Sequence, residues 1–135
     1  VPIFYILHTD EENVLRAKDA PLWHVHSDIA PEDSDEIIIK YKTDSFFETD
    51  LDKRLGHKNI DRIIICGVQT EYCIDSAVRS GFAHKYDVVL AKDAHSTFDS
   101  DCLSAAKIIE HHNMVLSTFS SVLVTDDIVF NRQDQ

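Results

Sequence analysis

Cysteine, glycine and proline are scarce in this sequence, with three residues of each among 135. No apolar run approaches the roughly 20 residues that a membrane-spanning helix needs, and no stretch has the charged and apolar regions of a signal peptide. The cysteines are odd in number and show neither a CxxC pair nor the cysteine and histidine spacing of a zinc site. We therefore expect reduced thiols in a cytoplasmic protein.

Basic residues are also few. Lysine and arginine number 13 against 24 aspartates and glutamates, which gives a formal net charge of −11. This balance argues against nucleic acid or an anionic membrane as a partner, because both need a basic surface. Much of the acidic charge falls in predicted loops, such as Asp10–Glu12 and Glu32–Glu36, and simple solvation explains it. The length and the 44% apolar content predict one globular domain over residues 1–135.

Short apolar runs alternate with amphipathic segments along the chain. The runs predict five strands, at Val1–Leu7, Glu36–Lys40, Ile63–Cys66, Tyr86–Ala91 and Ser120–Val124. Helices are predicted from the capping-box spacing of Thr49 and Asp52, after Cys73, and from Leu103 to about Asn113. The alternation predicts an α/β fold with a parallel sheet between two helix layers.

Two segments depart from this regular alternation. Residues 8–36 form a long excursion with Pro21 and Pro31, so we expect a functional loop or a short helix there. The first strand begins at Val1, whereas a parallel α/β unit normally has a strand and helix before it. We therefore expect the first strand and helix of the domain to lie upstream of Val1.

The most informative stretch is Arg62–Val78. Its β-branched run, Ile63–Cys66, predicts a strand buried on both faces, with Cys66 as a structural thiol. Gly67 ends the run, and an apolar helical pattern follows at Ile74, Ala77, Val78, Gly81 and Phe82. Cys73 then falls at the first turn of a helix, where the helix dipole and unpaired N–H groups favour a thiolate. A nucleophile at the carboxyl edge of the sheet is the functional interpretation, and a small buried thiol is the alternative.

A cysteine that attacks a carbonyl also needs a proton acceptor and an electrostatic partner. Lys40 ends the second predicted strand and is a candidate partner, although a lysine there can equally extend its charge into solvent. Residue type alone offers four histidines as bases: His8, His24, His26 and His95. Three aromatic residues are candidate walls of a substrate pocket, although large aromatics are usually core residues: Trp23, Phe46 and Tyr72.

Three segments resemble a known family, the isochorismatase-like cysteine hydrolases, whose superfamily includes nicotinamidases. Gly67–Ile74 resembles the nucleophile signature of that family. Lys40 with Ser45–Leu51, and Asp93–Thr97, resemble two further family segments in the right order. The resemblance extends from Val1 to about Phe130, and the three motifs together are specific.

The resemblance implies an isochorismatase-like, Rossmann-like three-layer fold and a Cys-Lys-Asp triad. Cys73 and Lys40 match the first two members, but no residue matches the aspartate, which the family carries at the end of its first strand. The family also has a cis peptide bond before the nucleophile, corresponding here to Val68–Gln69. The backbone N–H groups of Gln69 and Cys73 would form the oxyanion hole. The implied reaction is hydrolysis of a small amide through a thioester, by a homodimer or larger oligomer.

We expect no cofactor and no metal. Nicotinamidases bind a metal through an Asp-x-His pattern and a later histidine, whereas this chain has His8-Thr9-Asp10 at the corresponding place. The i, i+2 pair of His24 and His26 lacks a third ligand in the sequence pattern. True isochorismatases replace the nucleophilic cysteine, so Cys73 argues against vinyl-ether cleavage.

Two further classes of function remain open from the sequence. The absent aspartate is compatible with a non-catalytic domain of the same fold that serves as a binding or assembly module. An exposed, reactive Cys73 is also compatible with a redox-sensing thiol protein.

Overall fold

A computed structural model describes residues 1–130 as alternating strands and helices. The strands are β1 (Phe4–His8), β2 (Glu36–Lys40), β3 (Arg62–Val68), β4 (Asp87–Ser96) and β5 (Ser121–Leu123). The α-helices are α1 (Leu51–His57), α2 (Asp75–Ala83) and α3 (Ala105–Leu116). Short 3-10 helices cover Ser27–Ile29 and Thr125–Asp127, and a π-helical turn, Thr70–Ile74, leads directly into α2.

Every strand pair in this part of the chain is parallel. β1 pairs with β2 in a two-stranded sheet, and β3, β4 and β5 form a three-stranded sheet in that order. Parallel neighbours need a crossover segment between them, and α2 and α3 are the crossovers of the larger sheet. The predicted α/β class, with parallel strands and flanking helices, is confirmed.

Three apolar clusters hold these elements together. One joins α2 and α3 to one face of β4, and consists of Ile74, Val78, Val88, Leu90 and Leu116. A second joins α1 to β2 around Ile38, Phe46, Leu51 and Leu55, and a third lies on the opposite face of β4 around Val89, Ala91 and Ile128. Ile63 of β3 packs against the first two clusters, so it links the α1 region to the larger sheet. Each buried aliphatic side chain contributes roughly 1.5–3 kcal/mol through the area it removes from water.

The strands differ from the predictions in several places, and β1 begins at Phe4 rather than at Val1. β3 is only partly buried, and Cys66 within it is exposed, because β4 is the one strand paired with β3 among residues 1–130. β4 does not end at Ala91 but continues to Ser96. A register shift between Ile65 and Gly67 lets the pairing resume, with Gly67 opposite His95. Such an irregularity depends on long-range pairing, so the polar sequence after Ala91 does not reveal it.

Helix ends also differ from the predictions. Thr49 forms no capping box, since its hydroxyl donates to the Ser45 carbonyl at 2.6 Å and Asp50 occupies the N-cap position. α3 begins at Ala105 rather than Leu103, because the Ser104 hydroxyl accepts the N–H of Lys107 and caps the helix there. Residues 8–36, for which we expected a functional loop or a short helix, contain a 3-10 helix of three residues, Ser27–Ile29.

No helix among the described residues is both long and apolar enough to span a lipid bilayer.

The packing of α2 against β3 and β4 predicts opposite effects for two glycine substitutions. A Cβ at Gly81 would lie 2.9 Å from Cδ1 of Ile63 and 3.1 Å from Cγ2 of Val88, whereas one at Gly56 would meet nothing within 4 Å. Alanine gains about 1 kcal/mol of helix propensity at either site, but crowding a packed core costs about 1–3 kcal/mol. We expect Gly56→Ala to raise the free energy of unfolding in urea and Gly81→Ala to lower it. Equal stabilisation by both would contradict the close approach.

Candidate active site

Parallel pairing brings His8 and Lys40 together at the carboxyl ends of β1 and β2. The two residues are direct partners in the ladder, and the N–H of Thr9 extends it by donating to the Lys40 carbonyl at 2.7 Å. The Lys40 residue is only 2% exposed, and its ammonium donates to the carbonyl of Thr43. Lys40 is therefore a buried cation, and the alternative of a solvent-directed surface lysine is wrong.

Cys73 lies in the turn between β3 and α2. Gly67 has a φ of 123°, which side chains rarely adopt, and the Val68–Gln69 peptide bond that follows is cis. The carbonyl oxygen of Gln69 then accepts hydrogen bonds from the backbone nitrogens of Tyr72, at 3.2 Å, and Ile74, at 3.1 Å. The second bond spans five residues and makes the turn π-helical, so Cys73 precedes α2 instead of opening it. Isolated π-helical turns occur frequently at functional sites.

The thiol of Cys73 contacts the imidazole of His8. Its Sγ lies 3.8 Å from Nδ1 of His8, although the two residues are 65 positions apart in the chain. Partial burial, followed by the charges of Lys40 and Arg16, lowers the pKa of His8 below its usual value, against an opposing effect of Asp10. His8 is consequently neutral near pH 7, and a neutral imidazole has one ring nitrogen available to accept a proton.

The other three histidine candidates are occupied elsewhere. His24 is exposed and packs edge-on against Trp23 at 5.2 Å, and Nδ1 of His26 accepts the N–H of Asp28 at 3.2 Å. Within residues 1–130 no group of three or more potential metal ligands comes together, at the His24 and His26 pair or elsewhere. His95 belongs to a buried hydrogen-bond network.

That network holds the start of the π-helical turn in place through hydrogen bonds. Nδ1 of His95 lies 2.9 Å from the Thr70 hydroxyl, and its Nε2 lies 3.0 Å from Oδ1 of Asn113. The amide nitrogen of Asn113 donates to the Lys92 carbonyl, so its oxygen is the acceptor and Nε2 of His95 carries the proton. Nδ1 of His95 then accepts a hydrogen bond from the Thr70 hydroxyl. Sequence reasoning missed Thr70 and Asn113, although Thr70 and His95 both lie inside motifs that carried the family resemblance.

The three predicted pocket aromatics have different surroundings. Phe46 is a core residue, 9% exposed, and its ring stacks on His84 at 4.7 Å, so its contacts are those of core packing rather than of a pocket wall. Trp23 is half-buried, and its indole N–H donates to the Thr9 hydroxyl at 2.8 Å, next to His8. Tyr72 is exposed and precedes Cys73 in the chain. Trp23 thus contacts the residue that follows His8, and Tyr72 is the residue that precedes Cys73.

Similarity in sequence relates this chain to a known protein family. The family model of the isochorismatase domain matches residues 1–120. An uncharacterised isochorismatase family protein of Bacillus subtilis (strain 168), YddQ, is 30% identical over 103 residues, which are 71% of this chain and 54% of that protein. A ureidoacrylate amidohydrolase, RutB, of Yersinia enterocolitica is 36% identical over 67 residues, which are 50% of this chain and 29% of that enzyme. This chain therefore spans about half or less of these relatives.

A solved crystal structure has the same fold as this chain. The crystal structure of a cysteine hydrolase from Pseudomonas syringae pv. phaseolicola superimposes with a TM-score of 0.85 at 25% sequence identity. The match covers 94% of this chain and 70% of that one.

The His95 network predicts a specific stability loss. Thr70→Val is nearly isosteric but removes the hydroxyl that donates to buried Nδ1 of His95, and an unsatisfied buried acceptor costs about 1–3 kcal/mol. We expect the free energy of unfolding in urea to fall by that amount. The matched control is Thr118→Val at an exposed position, where a change within about 0.5 kcal/mol is expected. Equal effects of the two substitutions would contradict the network.

Proposed function

The chain belongs to the isochorismatase family, and we propose that it hydrolyses a small amide with Cys73 as nucleophile and Lys40 as electrostatic partner. One observation carries the proposal. His8 is the direct ladder partner of buried Lys40 and also contacts Sγ of Cys73. The Cys73 thiol and the buried Lys40 therefore both lie next to His8. His8 ends β1 at the carboxyl edge of parallel strands, where ligands bind in open α/β folds.

The proposed reaction has two halves. The Cys73 thiolate attacks the amide carbonyl carbon, a C–S bond forms, and the carbonyl electrons move onto oxygen. The tetrahedral intermediate expels ammonia or an amine and leaves a thioester, and water then attacks the thioester and releases a carboxylic acid and the thiol. Splitting the hydrolysis this way replaces one difficult step by two easier ones.

Backbone N–H groups supply the proposed oxyanion hole. The groups that donate to the Gln69 carbonyl belong to Tyr72 and Ile74, and the N–H of Cys73 is not one of them. We assign the N–H groups of Cys73 and Gln69 to the developing oxyanion. Preorganised donors of this kind are typically worth 10²–10³ in rate, roughly 3–4 kcal/mol.

Lys40 contributes charge rather than a proton in this proposal. Its ammonium is buried, so water screens it less than it would screen a surface lysine. A positive charge held at this edge stabilises the negative charge that develops on the carbonyl oxygen. The similarity to an enzyme called an amidohydrolase and to a structure called a cysteine hydrolase supports the amide class and the nucleophile. Tyr72 and Trp23 are the proposed rim of the substrate pocket.

The proposal is tested by release of ammonia from a panel of small primary amides, N-carbamoyl compounds and ureido acids. On any substrate that the protein turns over, Cys73→Ala should lower kcat at least about a thousandfold, because it removes the nucleophile itself. Lys40→Met keeps the length of the buried side chain but removes its charge, and we expect a loss of about a hundredfold.

Each variant has a matched control in the chain. Cys66→Ala removes an exposed thiol from β3, and Lys42→Met neutralises an exposed lysine two residues beyond Lys40. Both should retain the parent rate. Full ammonia release by Cys73→Ala would overturn the nucleophile assignment, and equal rates for Lys40→Met and Lys42→Met would overturn the role of the buried charge.

A further inference from the structure

We propose that His95 is a positioning residue for Cys73. By holding Thr70, the first residue of the turn, it keeps the turn π-helical and keeps the Cys73 N–H from bonding to the carbonyl that an α-helical turn would give it. The inference rests on the proposed function for its effect on turnover, since only there does this N–H serve the oxyanion. Its structural half, the selection of one form of the turn, holds whatever the substrate.

The turn before α2 has two possible patterns of backbone hydrogen bonds. In an α-helix each N–H donates to the carbonyl four residues earlier, so the N–H of Cys73 would donate to Gln69. In this structure the N–H of Ile74 donates to the Gln69 carbonyl instead, at 3.1 Å. The N–H of Asp75 likewise donates to the Thr70 carbonyl, five residues back. The π-helical form therefore gives the Gln69 carbonyl a partner other than Cys73.

Contacts at both ends hold the turn in this form. At its end, Ile74 and Val78 of the following helix are buried in the apolar cluster that joins α2 to β4. At its start, Thr70 is 0% exposed, and its hydroxyl lies 2.9 Å from Nδ1 of His95. Conversion to an α-helical turn would rotate one end relative to the other by about 100°, the angle of one residue. Since several apolar side chains hold the far end, the hydrogen bond at Thr70 determines which form is kept.

His95 is itself fixed on two sides. Its backbone lies opposite Gly67 in the β3–β4 ladder, and Nε2 of its ring lies 3.0 Å from Oδ1 of Asn113 on α3. The amide of Asn113 in turn donates to the Lys92 carbonyl at 3.3 Å. A buried polar network whose members all have partners is rigid and specifies one arrangement. The network thus gives Thr70 a fixed hydrogen-bond partner.

The consequence for catalysis concerns the oxyanion. An N–H of Cys73 that donated to the Gln69 carbonyl would no longer be available to the substrate oxygen, and loss of one such donor typically costs 10²–10³ in rate. A network that served stability alone would change the fraction of folded protein. It would leave the kcat of the folded protein and the hydrogen bonds of the turn as they are.

The first test needs no substrate. Hydrogen-bond scalar couplings, measured by NMR, identify the carbonyl to which each backbone N–H donates. The parent and Thr70→Ser, which keeps the hydroxyl, should both couple the Ile74 nitrogen to the Gln69 carbonyl carbon. Thr70→Val should lose this coupling and gain one between the Cys73 nitrogen and the same carbonyl. An unchanged Ile74 coupling in Thr70→Val would overturn the inference.

A second variant covers the case in which Thr70→Val does not fold. Asn113→Leu leaves the turn itself intact but removes the acceptor of Nε2, so Nε2 of His95 no longer has to carry the proton and Nδ1 is no longer fixed as an acceptor. We expect the Ile74 coupling to weaken at least about twofold. Met114→Leu, at the next and exposed position of α3, is the matched control and should keep the coupling of the parent. Equal couplings in Asn113→Leu and Met114→Leu would overturn the inference.

Turnover separates this inference from the proposed function. On a confirmed substrate, Thr70→Val should lower kcat at least about tenfold with little change in KM, because the lost donor acts on the transition state. Thr70→Ser should restore most of the parent kcat, and Thr118→Val, at an exposed position, should keep all of it.

The two failures are distinguishable. Parent kcat in folded Thr70→Val, together with loss of activity in Cys73→Ala, would overturn the positioning role of His95 and leave the nucleophile in place. Full activity in Cys73→Ala would instead overturn the proposed function, while the couplings would still decide which form of the turn the network keeps.

Discussion

The parallel register of β1 and β2 is the constraint on which the candidate site depends. It sets His8 opposite Lys40, and the N–H of Thr9 then locks the last step of the ladder against the Lys40 carbonyl. A slip of one residue would turn every side chain of a strand to the other face. Lys40 would then leave its buried position, and His8 would leave Cys73. The apolar side chains of β1 and β2 hold the register, since Phe4, Ile6 and Ile38 all pack into the same cluster below α1.

A second constraint acts from the larger sheet. The pairing of β3 with β4 shifts register just before Gly67 and then places Gly67 opposite His95. The register shift that precedes the Cys73 turn therefore also places His95 next to that turn. His95 accepts a hydrogen bond there from the Thr70 hydroxyl. Two strands therefore position Cys73. His95 of β4 binds Thr70 in the same turn, and His8 of β1 contacts the sulfur. Neither strand alone determines its position.

The parts of this account that sequence could predict are those with local causes. The bounds of β2 followed residue by residue from a β-branched run between two charged residues, and Cys73 was singled out because a glycine and an apolar helical pattern surround it. Burial of Lys40 was not predictable, because a lysine at the end of a strand can equally extend its charge into solvent. The choice of His8 among four histidines depended on a contact across 65 positions, which no spacing rule contains. Phe46 was predicted as a pocket wall and lies in the core, since an aromatic residue suits either place until its neighbours are known.

The central claim is that Cys73 forms the covalent intermediate, and trapping that intermediate tests it most directly. The protein is mixed with a substrate that it turns over, quenched in acid at increasing times, digested and analysed by mass. The account predicts an added acyl mass on the peptide that contains Cys73, formed before the steady state, removed by hydroxylamine and absent from Cys73→Ala. An acyl group on any other side chain would contradict it.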